Sequence, residues 1–168
     1  MEILETQQHG TADENKPIRY ILEGNVLRFE DVLDADAGGP PMHIHPEQTE
    51  TFRVISGKMF IVLSDREQEL REGEQIEILP NQPHTFHTHN CPKTQIEVSF
   101  DPAGEMQAFF MGLERVKRKK LHPLLQIAVQ YRAAKAFGFY MTGQPIWLQK
   151  LMFSVVGLYA YLRGYRAE

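Results

Sequence analysis

Turn signals recur about every ten residues between residues 18 and 100, and the segments between them alternate apolar and polar side chains as β-strands do. No strong helical period occurs in this stretch, so the spacing predicts an all-β sandwich or barrel. The segment Met59–Leu63 is apolar on both faces, which requires a second layer packed against it. The predicted strands are 18–23, 26–32, 51–55, 58–63, 75–79, 85–88 and 94–100.

The hydrophobic period changes from that of strands to that of helices after residue 101. Apolar side chains at 106, 109, 110 and 113 follow the i, i+3, i+4, i+7 stripe of an amphipathic helix. Similar stripes run through 122–137 and 146–163, with a break at 142–145. The sequence therefore predicts a C-terminal extension of about three helices.

Charge divides the chain at the same place. Residues 1–100 carry 8 basic and 18 acidic side chains, whereas residues 101–168 carry 10 basic and 4 acidic ones. We therefore predict three parts: a mobile or edge N-terminal arm at 1–17, a barrel at 18–100 and a helical extension at 101–168. The arm lacks the basic and apolar regions of a secretory signal, and the single cysteine allows no internal disulfide. Both features lead us to expect a cytoplasmic protein.

Two features of the tail bear on partners. The basic run 115–120 has no aromatic platform or DNA-binding motif beside it, so we expect no nucleic-acid partner. The apolar run 151–162 is shorter than the roughly 20 residues that a transmembrane helix needs. We expect this helix to be buried against the barrel, another helix or a second subunit, in a homodimer. The alternative is contact with a membrane surface, because Trp147 and two tyrosines lie among basic residues.

A histidine pair carries the clearest chemical signal. His43 and His45 are two residues apart, so a strand would place them on the same face. Glu50 shares its parity with Phe52, and if that ring points inward the carboxylate does too. A buried unpaired carboxylate is costly, and a metal ion would remove that cost. His84, after two prolines, is the best candidate for a fourth ligand, and three imidazoles with one carboxylate suit a divalent transition metal.

These residues, taken together, resemble the sequence motifs of a known superfamily. His43-x-His45-x4-Glu50-x6-Gly57 resembles the first motif of the cupin superfamily, and Gly73…Pro80-Asn81-Gln82-Pro83-His84 resembles the second. The resemblance implies a jelly-roll antiparallel β-barrel with a metal bound inside by His43, His45, Glu50 and His84. The helical tail and its closing Gly-Tyr-Arg resemble those of some small bacterial cupins, a looser likeness that implies no reaction.

The sequence departs from the cupin pattern at four positions. Ala37 stands where the first motif opens with glycine, Leu79 replaces a proline, and Thr88 replaces an asparagine. Asn81 occupies the place of a glycine in the second motif. Asparagine tolerates the left-handed conformation better than most residues, so we expect the turn at this position to be retained.

Other residues near the motifs are weaker candidates. Gln48, Phe52 and Phe86 are candidate walls of a small-molecule pocket, and Glu50 is the one candidate for a catalytic side chain. His87 and His89 have the opposite parity to His84, so we expect them at the surface or rim. Cys91 has no partnered base in the sequence, and we interpret it as an incidental thiol.

Two functions of different classes fit this sequence. The first is a metal-dependent enzyme, dioxygenase-like or isomerase-like, that acts on a small organic molecule with Fe, Mn, Zn, Ni or Cu. The second is a non-catalytic module that binds or senses a metal or small ligand and docks through its tail to a partner or membrane surface. The sequence leaves both open, because a fold does not choose a reaction.

Overall fold

The computed structural model describes residues 2–5, for which it gives the backbone, together with 18–107, 110 and 138–163. Eleven strands and one helix are named within these ranges. They are β1 Glu2–Glu5, β2 Arg19–Glu23, β3 Val26–Leu33, β4 His43–Ile44, β5 Thr49–Ser56, β6 Lys58–Leu63, β7 Glu67–Arg71, β8 Gln75–Ile78, β9 His84–His87, β10 Thr94–Asp101, β11 Tyr140–Met141 and α1 Ile146–Leu162.

The strands form two sheets, in which every pair is antiparallel. One sheet has the order β1-β2-β3-β10-β5-β8, and the other has the order β11-β4-β9-β6-β7. The chain crosses between the two sheets several times, for example from β5 in the first sheet to β6 in the second. The prediction of an antiparallel β-barrel with a mostly β fold is confirmed.

Alternation along the strands builds the core between the sheets. In β6, Met59, Ile61 and Leu63 are buried, while the residues between them are half-buried. In β10, Ile96, Val98 and Phe100 are buried in the same alternating way. On the outer face of β6, Phe60 is half-buried and stacks on His87, its paired residue in β9. A second layer on this face stays a prediction. These inward side chains join one apolar cluster that fills the barrel.

Gly57 makes the connection between β5 and β6 unusually tight. Its φ of 86° lies in the left-handed region, which favours glycine. A Cβ placed here would lie 2.8 Å from Oγ1 of Thr94. That hydroxyl donates a hydrogen bond to the Lys58 carbonyl and accepts one from the Lys58 amide. The turn therefore holds β5 and β6 in register against the start of β10.

The described part of the C-terminal extension contains one named helix, α1, in place of the three predicted. The first two predicted helices fall mostly on residues 108–109 and 111–137, which lie outside the described residues. At the start of this region, Met106 is fully buried and Phe110 packs against Tyr20 and Phe29 of the barrel. The segment after Phe100 therefore contributes to the barrel core.

The extension also adds β11, a strand that the sequence did not predict. Tyr140 pairs with Ile44 and Met141 pairs with His43, so β11 borders β4. The buried Gln149 of α1 accepts a hydrogen bond from the Met141 amide and donates one to the Met141 carbonyl, each at 2.9 Å. The Gln149 side chain thus makes the pair of hydrogen bonds to Met141 that a neighbouring strand would make, and these bonds attach α1 to β11.

Helix α1 has one covered face and one exposed face. Gln149, Phe153 and Gly157 are buried, and Phe153 packs on Tyr140. The opposite face presents large apolar side chains, namely Trp147, Leu151, Val155, Leu158, Tyr159 and Leu162. We expected this helix to be buried, and the described part of a single chain buries one of its faces. Among the described residues, no helix has the length and apolar character needed to cross a membrane.

Candidate metal centre

Four side chains from both sheets converge inside the barrel. His43 of β4 and His84 of β9 are directly paired residues in the five-stranded sheet. Glu50 lies on β5 of the six-stranded sheet, opposite Phe100 of β10. His45 lies between β4 and β5. The parity that places Glu50 inward also buries Phe52 and Val54, as expected.

The donor atoms of these four residues form a compact, buried group. One donor atom from each of the four residues lies within 4.8 Å of the others. The Nε2 atoms of His43 and His45 are 3.1 Å apart, and Oε2 of Glu50 is 2.8 Å from Nε2 of His84. The four residues are 1–6% exposed, so water has little access to them. A buried polar group of this kind requires specific partners.

Backbone carbonyls fix the orientation of two of the imidazole rings. Nδ1 of His43 is 3.0 Å from the Pro41 carbonyl, and Nδ1 of His84 is 2.9 Å from the Gln82 carbonyl. A carbonyl only accepts, so each Nδ1 carries the proton and donates. In the neutral rings the lone pair is therefore on Nε2, which points into the cluster. Metal-binding histidines are commonly oriented in this way.

The protonation states also suit metal binding. Burial favours a higher pKa for Glu50, but hydrogen bonds and charge attraction from His45 and His84 lower its pKa to about 2. Burial, followed by repulsion from His84 and His45, lowers the pKa of His43 to about 3. Burial opposes protonation of His84, yet the hydrogen bond to Glu50 raises its pKa. Near neutral pH, Glu50 is thus a carboxylate and His43 a neutral imidazole.

The donor set fits a transition metal ion. Ligand atoms that share an ion at about 2.1 Å lie about 3–4 Å from each other. The separations of 2.8, 3.1 and 3.4 Å between neighbouring donors fall close to this range. Three nitrogens and one oxygen suit Fe, Mn, Zn, Ni or Cu, and they do not distinguish among these metals.

The turn before β9 joins the two sequence motifs. Asn81 has a φ of 65°, which is the left-handed conformation expected for it. Its amide donates to the His45 carbonyl at 2.8 Å, and its side chain donates to the Pro46 carbonyl at 3.3 Å. Through these bonds the turn that precedes His84 holds the segment that carries His45.

Thr88 has a structural role that the sequence did not indicate. Its hydroxyl donates to the Asp34 carbonyl and accepts from the Ala37 amide, each at 2.8 Å. The side chain is completely buried. The threonine thus ties the end of β9 to the loop that leads into β4, and this loop presents His43.

The remaining candidates lie around the cluster or away from it. Gln48 is buried, and its amide nitrogen donates to the Pro102 and Ala103 carbonyls. Phe52 is in the core and packs on the half-buried ring of Phe86. The role of these three residues as walls of a small-molecule pocket stays a prediction.

The two other histidines of this region lie outside the cluster. His87 is half-buried, with Nε2 3.0 Å from a carboxylate oxygen of Glu67, and the His89 side chain is 62% exposed. Cys91 is buried next to them, and burial raises the pKa of its thiol. All three residues are therefore separate from the four donors.

Comparison with known families agrees with this geometry. The family described as "Cupin domain" matches residues 29–91, which include all four donor residues. This region belongs to the cupin superfamily. Among curated proteins, none matches the sequence.

Solved structures that resemble this cupin domain differ widely from it in sequence. A cupin protein from Bacteroides fragilis has 24% identity and a TM-score of 0.41, over 46% of this chain and 66% of its own. A cupin-2 domain containing protein from Shewanella frigidimarina has 18% identity and a TM-score of 0.44, over 55% and 81%. A sugar phosphate isomerase from Silicibacter pomeroyi has 20% identity and a TM-score of 0.41, over 49% and 58%. None of these likenesses assigns a reaction to this chain.

Sequence reasoning missed one residue that borders the cluster. Phe139 lies outside the matched cupin region, just before β11, and its ring stacks on His43 with centroids 4.3 Å apart and an interplanar angle of 23°. Its ring centroid is 6.1 Å from that of His45. The only sequence signal was an aromatic residue after Gly138, which does not indicate a partner almost 100 residues earlier in the chain.

Proposed function

We propose that this cupin domain binds one divalent transition metal through His43, His45, Glu50 and His84 and acts as a metal-dependent enzyme on a small organic molecule. The observation that carries the proposal is the convergence of four buried donor atoms within 4.8 Å. A bound metal supplies Lewis acidity and open positions for substrate, which suits dioxygenation of an enol or phenol, or isomerisation. The expected substrate is therefore a compact molecule with an oxygen donor.

The protein's own residues prepare the site for this chemistry. The carbonyls of Pro41 and Gln82 hold two imidazole rings with Nε2 directed inward. Glu50 remains ionised, so it offers negative charge to the metal without first losing a proton. The apolar rings of Phe100 and Phe139, next to His45 and His43, limit the access of water. Low water content strengthens every electrostatic interaction inside the site.

The test begins with elemental analysis of protein purified without added metal. We expect about one transition metal ion per chain, because the donor set is buried and complete. The loaded protein is then supplied with candidate enols and phenols while oxygen consumption and isomerised product are measured. Activity should be lost in His43→Ala. Stoichiometric metal with no turnover in any of these assays would favour the second candidate function.

The second candidate is a non-catalytic module that binds a metal or small ligand and docks through its C-terminal helix. The exposed apolar face of α1 favours it, since Trp147 is 68% exposed and Leu162 is 74% exposed. Soluble monomers rarely expose large continuous apolar patches. Under the first candidate function we expect a second copy of the chain to cover this face, whereas under the second a partner or a membrane surface covers it.

A homodimer is therefore the expected state in solution. Light scattering across micromolar concentrations should give twice the chain mass, and Leu151→Glu with Leu158→Glu should shift it to the monomer. Arg53→Glu is a matched control, because Arg53 is an exposed residue of β5, outside α1. A wild-type monomer at every concentration would contradict the dimer. It would leave a different partner or a membrane surface as the cover of α1.

A further inference from the structure

Phe139 borders the metal site in a way that the other aromatic neighbours do not. Phe100 meets His45 edge-on at 5.8 Å, but it belongs to β10 and is part of the closed barrel core. Phe139 is only partly buried, and it packs against both the barrel core and the cluster around Tyr140. Its ring thus lies where the C-terminal segment meets the four donors.

The backbone around Phe139 is held firmly to the sheet that carries two of the donors. The Thr142 amide donates to the Met42 carbonyl at 3.1 Å, and the Thr142 hydroxyl donates to the same carbonyl at 3.2 Å. Gln149 binds both backbone groups of Met141 from the other side. Since β11 is fixed between β4 and α1, the position of the Phe139 ring is set by several hydrogen bonds. A ring held in this way can act as a rigid wall.

We propose that Phe139 limits the size of the ligand that reaches the metal, admitting compact donors and excluding donors that carry an aromatic ring. The Phe139 ring covers the face of His43 with centroids 4.3 Å apart and an interplanar angle of 23°, so a second ring cannot occupy this side of the donor cluster. Because the inference rests on the proposed metal site, it narrows the substrate class to small enols and excludes phenols. Phe139 is a specificity-determining residue in this account, and it takes no part in bond making.

The probe is the cobalt form of the full-length protein, with its visible spectrum titrated with imidazole and with 4-phenylimidazole. Both ligands bind through an imidazole nitrogen, and the phenyl group adds the bulk that is tested, so the comparison between wild type and variant is the one that reports on Phe139. In the wild type the larger ligand should bind at least about tenfold more weakly, since a closed apolar pocket rejects excess bulk. In Phe139→Ala this ratio of dissociation constants should fall to about threefold or less. Phe139→Leu, which keeps apolar volume if the alanine variant unfolds, should give an intermediate ratio.

Phe60→Ala provides the matched control, because Phe60 also stacks on a histidine, His87, at 5.1 Å, away from the four donors. Its ratio should equal that of the wild type. An unchanged ratio in folded Phe139→Ala or Phe139→Leu would overturn the inference while the metal site stands. Equal dissociation constants for the two ligands in the wild type would also overturn the inference. A wild type that binds no cobalt would overturn the proposed function and this inference with it.

Discussion

Replacing Glu50 or His84 with alanine is expected to lower the metal content from about one ion per chain to well below one. Each variant removes one of four donors and leaves its partner in the 2.8 Å Glu50–His84 pair without a counterpart. Loss of an outer partner of a ligand already lowers metal affinity about 10–100-fold, so loss of a ligand should lower it about 100-fold or more. Equilibrium dialysis with elemental analysis measures the effect.

Two further variants separate ligand loss from damage to the fold. Glu50→Gln keeps the size of the side chain and removes its charge, so it should also lose metal while circular dichroism stays unchanged. Glu67→Gln is the matched control, because Glu67 pairs with His87 at 3.0 Å at the surface, away from the cluster. Its metal content should equal that of the wild type. Full stoichiometry in folded Glu50→Ala and His84→Ala would remove these residues as ligands.

Deletion of residues 105–168 is expected to give a barrel that aggregates or is severely destabilised. The deletion removes Met106 and Phe110, whose apolar side chains fill the barrel core, and burial of such side chains contributes about 1.5–3 kcal/mol each. It also removes β11, so β4 becomes an unpaired sheet edge. Expression as soluble protein, followed by chemical denaturation, measures the effect.

A shorter deletion and a vesicle assay distinguish the competing role of the tail. A chain that ends at Thr142 keeps Phe139 and β11 and lacks α1, so it should be less damaged than the longer deletion. The membrane alternative predicts a soluble, folded barrel after removal of 105–168 and sedimentation of the full chain with anionic vesicles. That pair of results would show that the tail serves lipid binding and not the barrel.

The sequence predicted the antiparallel barrel and the inward direction of the four candidate ligands, because strand alternation and the two cupin-like motifs are both visible in it. Parity along a strand places Glu50, Phe52 and Val54 on the same side, and all three are buried. Asn81 adopts the left-handed turn that its residue type allows. In each case the local backbone decides which way a side chain points, so neighbouring residues carry enough information.

The sequence did not predict which residues cover the site, because this cover depends on pairing between residues that are far apart in the chain. A two-residue strand such as β11 has no measurable alternation, and the Thr142–Met42 contact joins residues 100 positions apart. The strand β7 was not singled out either, since Leu70 is its one apolar side chain. The role of Gln149 could not be predicted either, because a polar residue in a helix gives no sign that its side chain completes the hydrogen bonds of a strand.

The order of the elements along the chain has a consequence for synthesis on the ribosome. The last strand of the barrel other than β11 ends at Asp101, whereas Phe139 follows 38 residues later. At about 5–20 residues per second, synthesis of this segment takes about 2–8 s, and during that time all four donor residues are present but Phe139 is not yet made. Met106 and Phe110, which complete the barrel core, are synthesised within this interval and before Phe139. A nascent chain can thus complete the core of its barrel before it completes the cover of the four side chains.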